Sequence, residues 1–99
     1  MFLDNFKQQI FTICEVNHVK TLFVFGSVLT TQFKQNSDID FWVDINDSDP
    51  LIYADSYFNL KFSLEDLLQK PVDLLETNTL QNPYLKQSID KTKIVFHEQ

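Results

Sequence analysis

Residues 22–45, which read LFVFGSVLTTQFKQNSDIDFWVDI, constrain the fold of this chain more than any other stretch. The stretch begins with four apolar residues, 22–25, that stop at Gly26, the only glycine in the sequence. A short apolar run bounded by a glycine is typical of a buried strand. The sequence therefore predicts a strand, a tight turn with a short helix at 28–33, and a second strand that ends at Ile45.

Side chains of the second predicted strand alternate between its two faces. One face carries apolar residues and the other is mostly acidic: Ile39, Phe41, Val43 and Ile45 against Asp38, Asp40, Trp42 and Asp44. Two carboxylates that are two residues apart on one face converge on a common point. At about 3.3 Å per residue, Asp44 lies roughly 13 Å from Asp40 and cannot join them. The pattern predicts a paired-acid site at Asp38 and Asp40.

Paired carboxylates repel each other, so one tends to stay protonated unless a cation neutralises the pair. Ligands that are all oxygen favour Mg²⁺ or Mn²⁺ over zinc, and phosphate-transfer enzymes use such a metal to bridge carboxylates and substrate phosphates. Gly26 allows close approach of the backbone to a ligand, and a helix that begins near Ser27 would point free N–H groups at a phosphate. Either motif alone is more often an ordinary turn; together, at two strand ends, they favour a nucleotide site.

The spacing of Gly26-Ser27, ten residues, then Asp38-Ile39-Asp40 resembles the signature of the DNA-polymerase-β-like nucleotidyltransferases. Chain length and layout resemble the minimal nucleotidyltransferase (MNT) proteins, which are antitoxin partners of HEPN-domain ribonuclease toxins. The resemblance implies an α/β (α+β) nucleotidyltransferase palm, a small mixed twisted sheet with helices packed on it. It also implies transfer of AMP from ATP, assisted by two Mg²⁺ ions, to a hydroxyl of the toxin, a tyrosine.

A third carboxylate in the family comes from a strand beside the Asp-x-Asp strand, and Asp73 in the predicted short strand 72–75 matches it. An aspartate flanked by apolar strand residues is unfavourable unless it is paired or binds a metal. The resemblance implies two sets of site residues. The catalytic metal ligands are Asp38, Asp40 and Asp73, and the nucleotide-binding residues are Gly26 and Ser27.

The chain departs from the family pattern at Thr30 and Thr31, where relatives often carry Arg-Gly. A threonine hydroxyl can hydrogen-bond to phosphate but brings no charge, which Lys34 could supply from nearby. Two alternatives therefore stay open. The protein could be an antitoxin by binding alone, with a vestigial nucleotide site. It could also modify a small molecule such as an aminoglycoside, although relatives of that kind carry an added substrate domain.

Composition bounds the remaining possibilities. Ninety-nine residues, 43% of them hydrophobic, predict one domain, 1–99, with a packed core. The net charge of −6 argues against direct nucleic-acid binding and fits a partner with a basic face. The single cysteine, Cys14, excludes an internal disulfide and a multi-cysteine zinc site. The sequence lacks a membrane-length apolar run and a signal pattern, so we expect a cytoplasmic protein without membrane contact.

Periodicity outside the motif predicts the other elements. An amphipathic helix of about fifteen residues begins at Phe2, with either Val16 or Asn17 as its last inward position. A long helix at 51–68, capped by Ser48 or Asp49, could be interrupted near residues 62–63. Another helix begins at Asn82-Pro83, a last strand covers 93–96, and His97 is predicted to be solvated.

Overall fold

The computed structural model describes residues 2–30, 33, 37–76, 84, 87 and 94–98. Strands in these ranges form one mixed sheet in the order β3–β2–β1–β4. β1 pairs antiparallel with both β2 and β4, whereas β2 and β3 are parallel. The elements are a 3₁₀ helix Phe2–Phe6, α1 Lys7–Val16, β1 Val19–Phe25, a 3₁₀ turn Gly26–Leu29, β2 Ile39–Ile45, α2 Pro50–Leu68, β3 Val72–Glu76 and β4 Ile94–Glu98. The predicted α+β architecture with a small mixed sheet is confirmed.

The hydrophobic core lies between one face of the sheet and the helices α1 and α2. Burial of each large apolar side chain contributes about 1.5–3 kcal/mol relative to leaving it exposed. The strands supply Leu22, Val24, Ile39, Phe41, Val43, Val72 and Leu74, and the helical segments supply Leu3, Ile10, Cys14, Leu60, Leu64 and Leu68. Because strand side chains alternate, this packing turns Asp40, Asp44 and Asp73 to the opposite face.

The N-terminal helical segment covers the predicted length, but its first turn is 3₁₀ and α1 proper begins at Lys7. Of the two candidates for its last inward position, Asn17 is buried and Val16 is exposed. The Asn17 amide nitrogen donates to the Ile13 carbonyl (2.9 Å), and its amide oxygen accepts from Asn59 (2.7 Å). These bonds satisfy a buried amide and tie the end of α1 to α2.

Helix α2 begins and ends as its sequence predicts, but it is continuous. The Asp49 carboxylate caps it by accepting from the backbone N–H groups of Leu51 (2.9 Å) and Ile52 (3.5 Å). The predicted interruption near residues 62–63 is wrong, because fully buried Leu60 and Leu64 bracket it and their packing outweighs the weaker helix propensity of Ser63. Among the described residues, no helix combines the length and apolar character needed to cross a membrane.

Two other local predictions are corrected by the structure. The helix predicted at 28–33 is, where described, only the 3₁₀ turn that ends at Leu29, and the β-branched residue Thr30 that follows has low helix propensity. His97 is buried inside β4 against the ring of Phe11, with 4.5 Å between ring centres, rather than solvated. The residues Thr31, Lys34 and Asn82-Pro83 lie outside the described ranges.

Candidate active site

Two carboxyl groups meet where the parallel strands β2 and β3 lie side by side. The register places Asp40 of β2 directly opposite Asp73 of β3. Both side chains point away from the helices, and they hydrogen-bond to each other. A hydrogen bond between two carboxyl groups requires a proton on one of them, so this contact favours the protonated form of Asp40.

The environment of this pair disfavours a second negative charge. Burial raises the pKa of Asp40 to about 6, and the charge of Asp73, the hydrogen bond to Asp73 and the charge of Asp38 act in the same direction. A raised pKa means that the folded protein holds a proton here more tightly than a free aspartate does. A bound cation would relieve the same repulsion.

Asp38 stands beside this pair rather than at its centre. It is exposed, one residue before β2 begins, and its charge affects Asp40 less than the charge of Asp73 does. Asp40 therefore has a direct partner in Asp73 across β2 and β3, a contact that strand alternation alone does not predict. Within the described ranges, no three His, Cys, Asp or Glu side chains are grouped closely enough to hold a metal ion.

Gly26 lies directly against the acid pair. It follows Phe25, which pairs with Asp40 across β1 and β2, and its φ of +81° is in the left-handed region. A Cβ atom added here would lie 3.3 Å from the Asp40 Cγ and would collide with the carboxylate oxygen Oδ2. Both the backbone conformation and the available space thus require glycine. Ser27 follows within the 3₁₀ turn.

Side chains of α2 hold the strand that carries Asp73. β3 is at the edge of the sheet, where one side of a strand lacks a neighbour. The Tyr57 hydroxyl donates to the Leu74 carbonyl (2.7 Å), and the Glu65 carboxylate accepts from the Val72 N–H (3.1 Å). Burial, followed by the charges of Glu76 and Asp73, raises the pKa of Tyr57, so its hydroxyl remains a donor. These bonds fix β3, and with it Asp73, against the helix.

Two features of this end of the sheet were not predicted. Trp42 shares the acidic face but is only 5% exposed, because its ring packs on Phe23 with 5.7 Å between centres. Lys70, three residues before Asp73, places its ammonium group 5.0 Å from the ring centre of Phe33. The sequence Lys70-Pro71 indicates only a helix end, so nothing in it predicts this contact of the Lys70 ammonium group with an aromatic ring.

The acid pair suits a magnesium ion with a bound nucleotide. Mg²⁺ keeps several waters and is commonly held by one or two carboxylates together with substrate phosphates. Asp40 and Asp73 provide two carboxyl groups whose mutual repulsion a divalent cation would relieve. Asp38 adds a third negative charge nearby. The donor set is therefore consistent with a metal that is completed by phosphate and water rather than enclosed by protein.

An acid pair on the face of a mixed sheet opposite its helices, set against a glycine turn, defines an enzyme class that transfers phosphate-containing groups. The family model described as "Polymerase beta, Nucleotidyltransferase" matches residues 8–99. The chain belongs to this family of nucleotidyltransferases, and the resemblance of its Gly-Ser and Asp-x-Asp motifs is confirmed. Over 76 residues it is 37% identical to MJ1217 of Methanocaldococcus jannaschii, named as a candidate protein adenylyltransferase; the match covers 77% of this chain and 74% of MJ1217.

Solved structures share the fold. A protein described as a candidate minimal nucleotidyltransferase superimposes with a TM-score of 0.75 at 26% identity, covering 93% of this chain and 90% of the other. A complex of a tri-AMPylated Shewanella oneidensis HEPN toxin with an MNT antitoxin contains a chain that matches with a TM-score of 0.66 at 20% identity. That match covers 100% of this chain and 74% of the other, and at this identity it shows a common fold alone.

Proposed function

We propose that this nucleotidyltransferase moves AMP from ATP to a tyrosine hydroxyl of a cognate HEPN ribonuclease toxin and thereby acts as its antitoxin. The observation that carries the proposal is the Asp40–Asp73 pair, packed against Gly26 at the end of β1. The candidate adenylyltransferase among the relatives and the AMP-modified toxin in the MNT complex support the same reaction.

The proposed reaction is a substitution at the α-phosphorus of ATP. The tyrosine oxygen bonds to that phosphorus, the bond from it to the oxygen bridging the α- and β-phosphates breaks, and pyrophosphate leaves. Asp73 is exposed at the sheet edge, where its carboxylate can accept the tyrosine proton. Asp40 and Asp73 would hold Mg²⁺, with the predicted third ligand Asp38 adding negative charge beside them, and the metal supplies charge stabilisation at the phosphates when bound. Gly26 leaves room for phosphate beside the carboxylates.

The position of the acids favours an acceptor on another protein. Asp38 and Asp73 are exposed, and β3 is an edge strand. A side chain that projects from a partner surface can therefore approach Asp73 from outside the sheet. The charge of −6 favours a partner with a basic surface. Both features are less suited to a small-molecule acceptor, which enzymes commonly enclose in a pocket.

Labelled ATP tests this proposal. The chain is incubated with Mg²⁺, its proposed cognate HEPN protein, and ATP labelled at either the α- or the γ-phosphate. We expect label in the HEPN protein from α-labelled ATP only, and none after tyrosine-to-phenylalanine substitution at the modified site. Incorporation of the γ-label would indicate a kinase and would contradict the proposal.

A second candidate function is inhibition by binding alone. The observation in its favour is the exposed, uncharged Thr30, at a position aligned with the Arg-Gly pair of relatives. In that case the toxin would lose ribonuclease activity in the complex without acquiring label. Ribonuclease assays with and without ATP separate the two functions, because transfer requires the nucleotide and binding does not.

A further inference from the structure

Helix α2 presents large apolar side chains on two opposite faces. Its inward face is anchored by Leu60, Leu64 and Leu68, all buried in the core. On the outward face the side chains of Leu51, Phe58 and Phe62 are 78%, 52% and 59% exposed. These three residues are spaced by seven and four positions, so they line up along the helix. We name these three residues the α2 stripe.

Exposure of the α2 stripe to water is energetically unfavourable. The rings of Phe58 and Phe62 stack on each other with 6.1 Å between centres and 24° between planes, yet each keeps about half of its surface exposed. A helix that faces solvent on one side normally carries polar residues there, and one that is apolar on all sides is normally buried on all sides. Adjacent large apolar side chains that stay exposed, as Phe58 and Phe62 do, are typical of an interaction site.

We propose that the α2 stripe is the docking surface for the protein that carries the acceptor hydroxyl, and that this protein meets it with apolar side chains flanked by lysine and arginine. The inference rests on the proposed function, because it assigns the acceptor protein to a surface. Beyond the proposed function, the inference specifies which surface the acceptor protein contacts and which kinds of side chain it contacts it with.

Charge identifies the occupant as a basic partner rather than a second copy. Asp55 follows Leu51 by four residues and Asp66 follows Phe62 by four, so both exposed carboxylates border the α2 stripe. Lys61 is the basic residue of α2, and it is half-buried on another side of the helix. A symmetric pairing of two copies would bring the same carboxylates together, on chains that each carry −6.

The chain topology directs such a partner toward the acid pair. α2 follows β2 at the end of the sheet remote from Asp40, and it returns to the end where β3 begins. Only residues 69–72 separate its last turn from Asp73. Phe62 and Asp66 therefore lie in the half of α2 that leads to Asp73. Because Asp40 and Asp73 lie on the sheet face opposite the helices, a partner on the α2 stripe reaches them past the edge strand β3.

Binding measurements with the proposed cognate HEPN protein test the inference. The variant Phe58→Ser/Phe62→Ser should weaken binding by at least about tenfold, as expected for central aromatic residues of an interface. The matched control is Val16→Ser, which removes an apolar side chain that is 66% exposed on α1, and it should bind like the wild type. Melting temperatures establish that each variant is folded. A second variant, Asp55→Lys/Asp66→Lys, leaves the apolar residues intact and should also weaken binding.

Each outcome of these measurements decides the inference. Wild-type affinity in the folded Phe58→Ser/Phe62→Ser variant overturns the docking surface, while transfer of AMP by that variant leaves the proposed function standing. If the wild type does not bind the HEPN protein, both fail. Sedimentation of the wild type alone as a dimer that the serine substitutions convert to a monomer would assign the α2 stripe to self-association and also overturn the inference.

Discussion

Asp40 is a residue at which folding and ionisation oppose each other. Its pKa rises from 3.8 to about 6 on folding, so between these values the folded protein binds more protons than the unfolded chain. The free energy of unfolding therefore decreases as pH rises through this window. Above about pH 6, the loss of stability caused by ionisation of Asp40 is complete. We predict that the metal-free Asp40→Asn variant is as stable as the wild type or more stable at neutral pH.

Melting temperatures of both proteins between about pH 4 and pH 7 measure this effect. The wild type should lose stability relative to Asp40→Asn as pH rises, because only the wild type must release the proton at position 40. Asp44→Asn is the matched control, since it alters the same face of β2 outside the acid pair and should retain the wild-type slope. A metal-free Asp40→Asn variant that melts well below the wild type at neutral pH would contradict this account.

Gly26 is the residue at which added volume should be least tolerated. In the variant Gly26→Ala, the new methyl group would occupy the space of the Asp40 carboxylate, on a backbone with positive φ. Such a strained position costs about 1–3 kcal/mol, and each kcal/mol moves the melting temperature of a domain of this size by about 4–8 °C. We predict a lower melting temperature and loss of AMP transfer. An alanine variant that keeps both would show that the turn does not contact the site as described.

At the scale of elements, the attachment of β3 to α2 holds Asp73 in place. The Tyr57→Phe variant removes the hydroxyl that donates to the Leu74 carbonyl and should lower the free energy of unfolding by about 0.5–1.5 kcal/mol. Transfer should decrease as well, because Asp73 precedes Leu74 in the edge strand. Thr12→Ala is the control: it removes a hydroxyl that donates to the Gln8 carbonyl (3.1 Å) on an exposed part of α1. Chemical denaturation and transfer assays measure both effects, and equal losses in the two variants would contradict the role of Tyr57.

The elements themselves could be predicted because their packing follows local periodicity. Alternation in β2 and the cap at Asp49 depend on residues close together in sequence, and both are confirmed. The pairing of Asp40 with Asp73 depends on the register between two strands that α2 separates, which local patterns do not define. The burial of His97 likewise depends on the pairing of β4 with β1. Its position near the end of the sequence therefore led to the wrong prediction that its side chain is solvated.

At the scale of the whole molecule, the net charge of −6 should control how fast the protein meets its partner. Opposite charges accelerate association, and salt screens them over about 10 Å at 0.1 M ionic strength. We predict that the association rate with the HEPN protein falls steeply as salt increases, whereas the dissociation rate changes less. Stopped-flow measurements over a range of salt concentrations test this. An association rate that is independent of salt would contradict a basic partner surface.

If the Asp40–Asp73 pair supports transfer of AMP to a partner protein, the mass of that partner increases by the mass of the added group. The most direct measurement is the intact mass of the HEPN protein after incubation with Mg²⁺, ATP and either wild type, Asp40→Asn or Asp44→Asn. We predict added AMP with the wild type and with Asp44→Asn, and a rate lower by about 10²–10³-fold or more with Asp40→Asn. We also predict no added AMP when a chelator removes the metal. Undiminished transfer by a folded Asp40→Asn variant would contradict a role of this acid pair in the reaction.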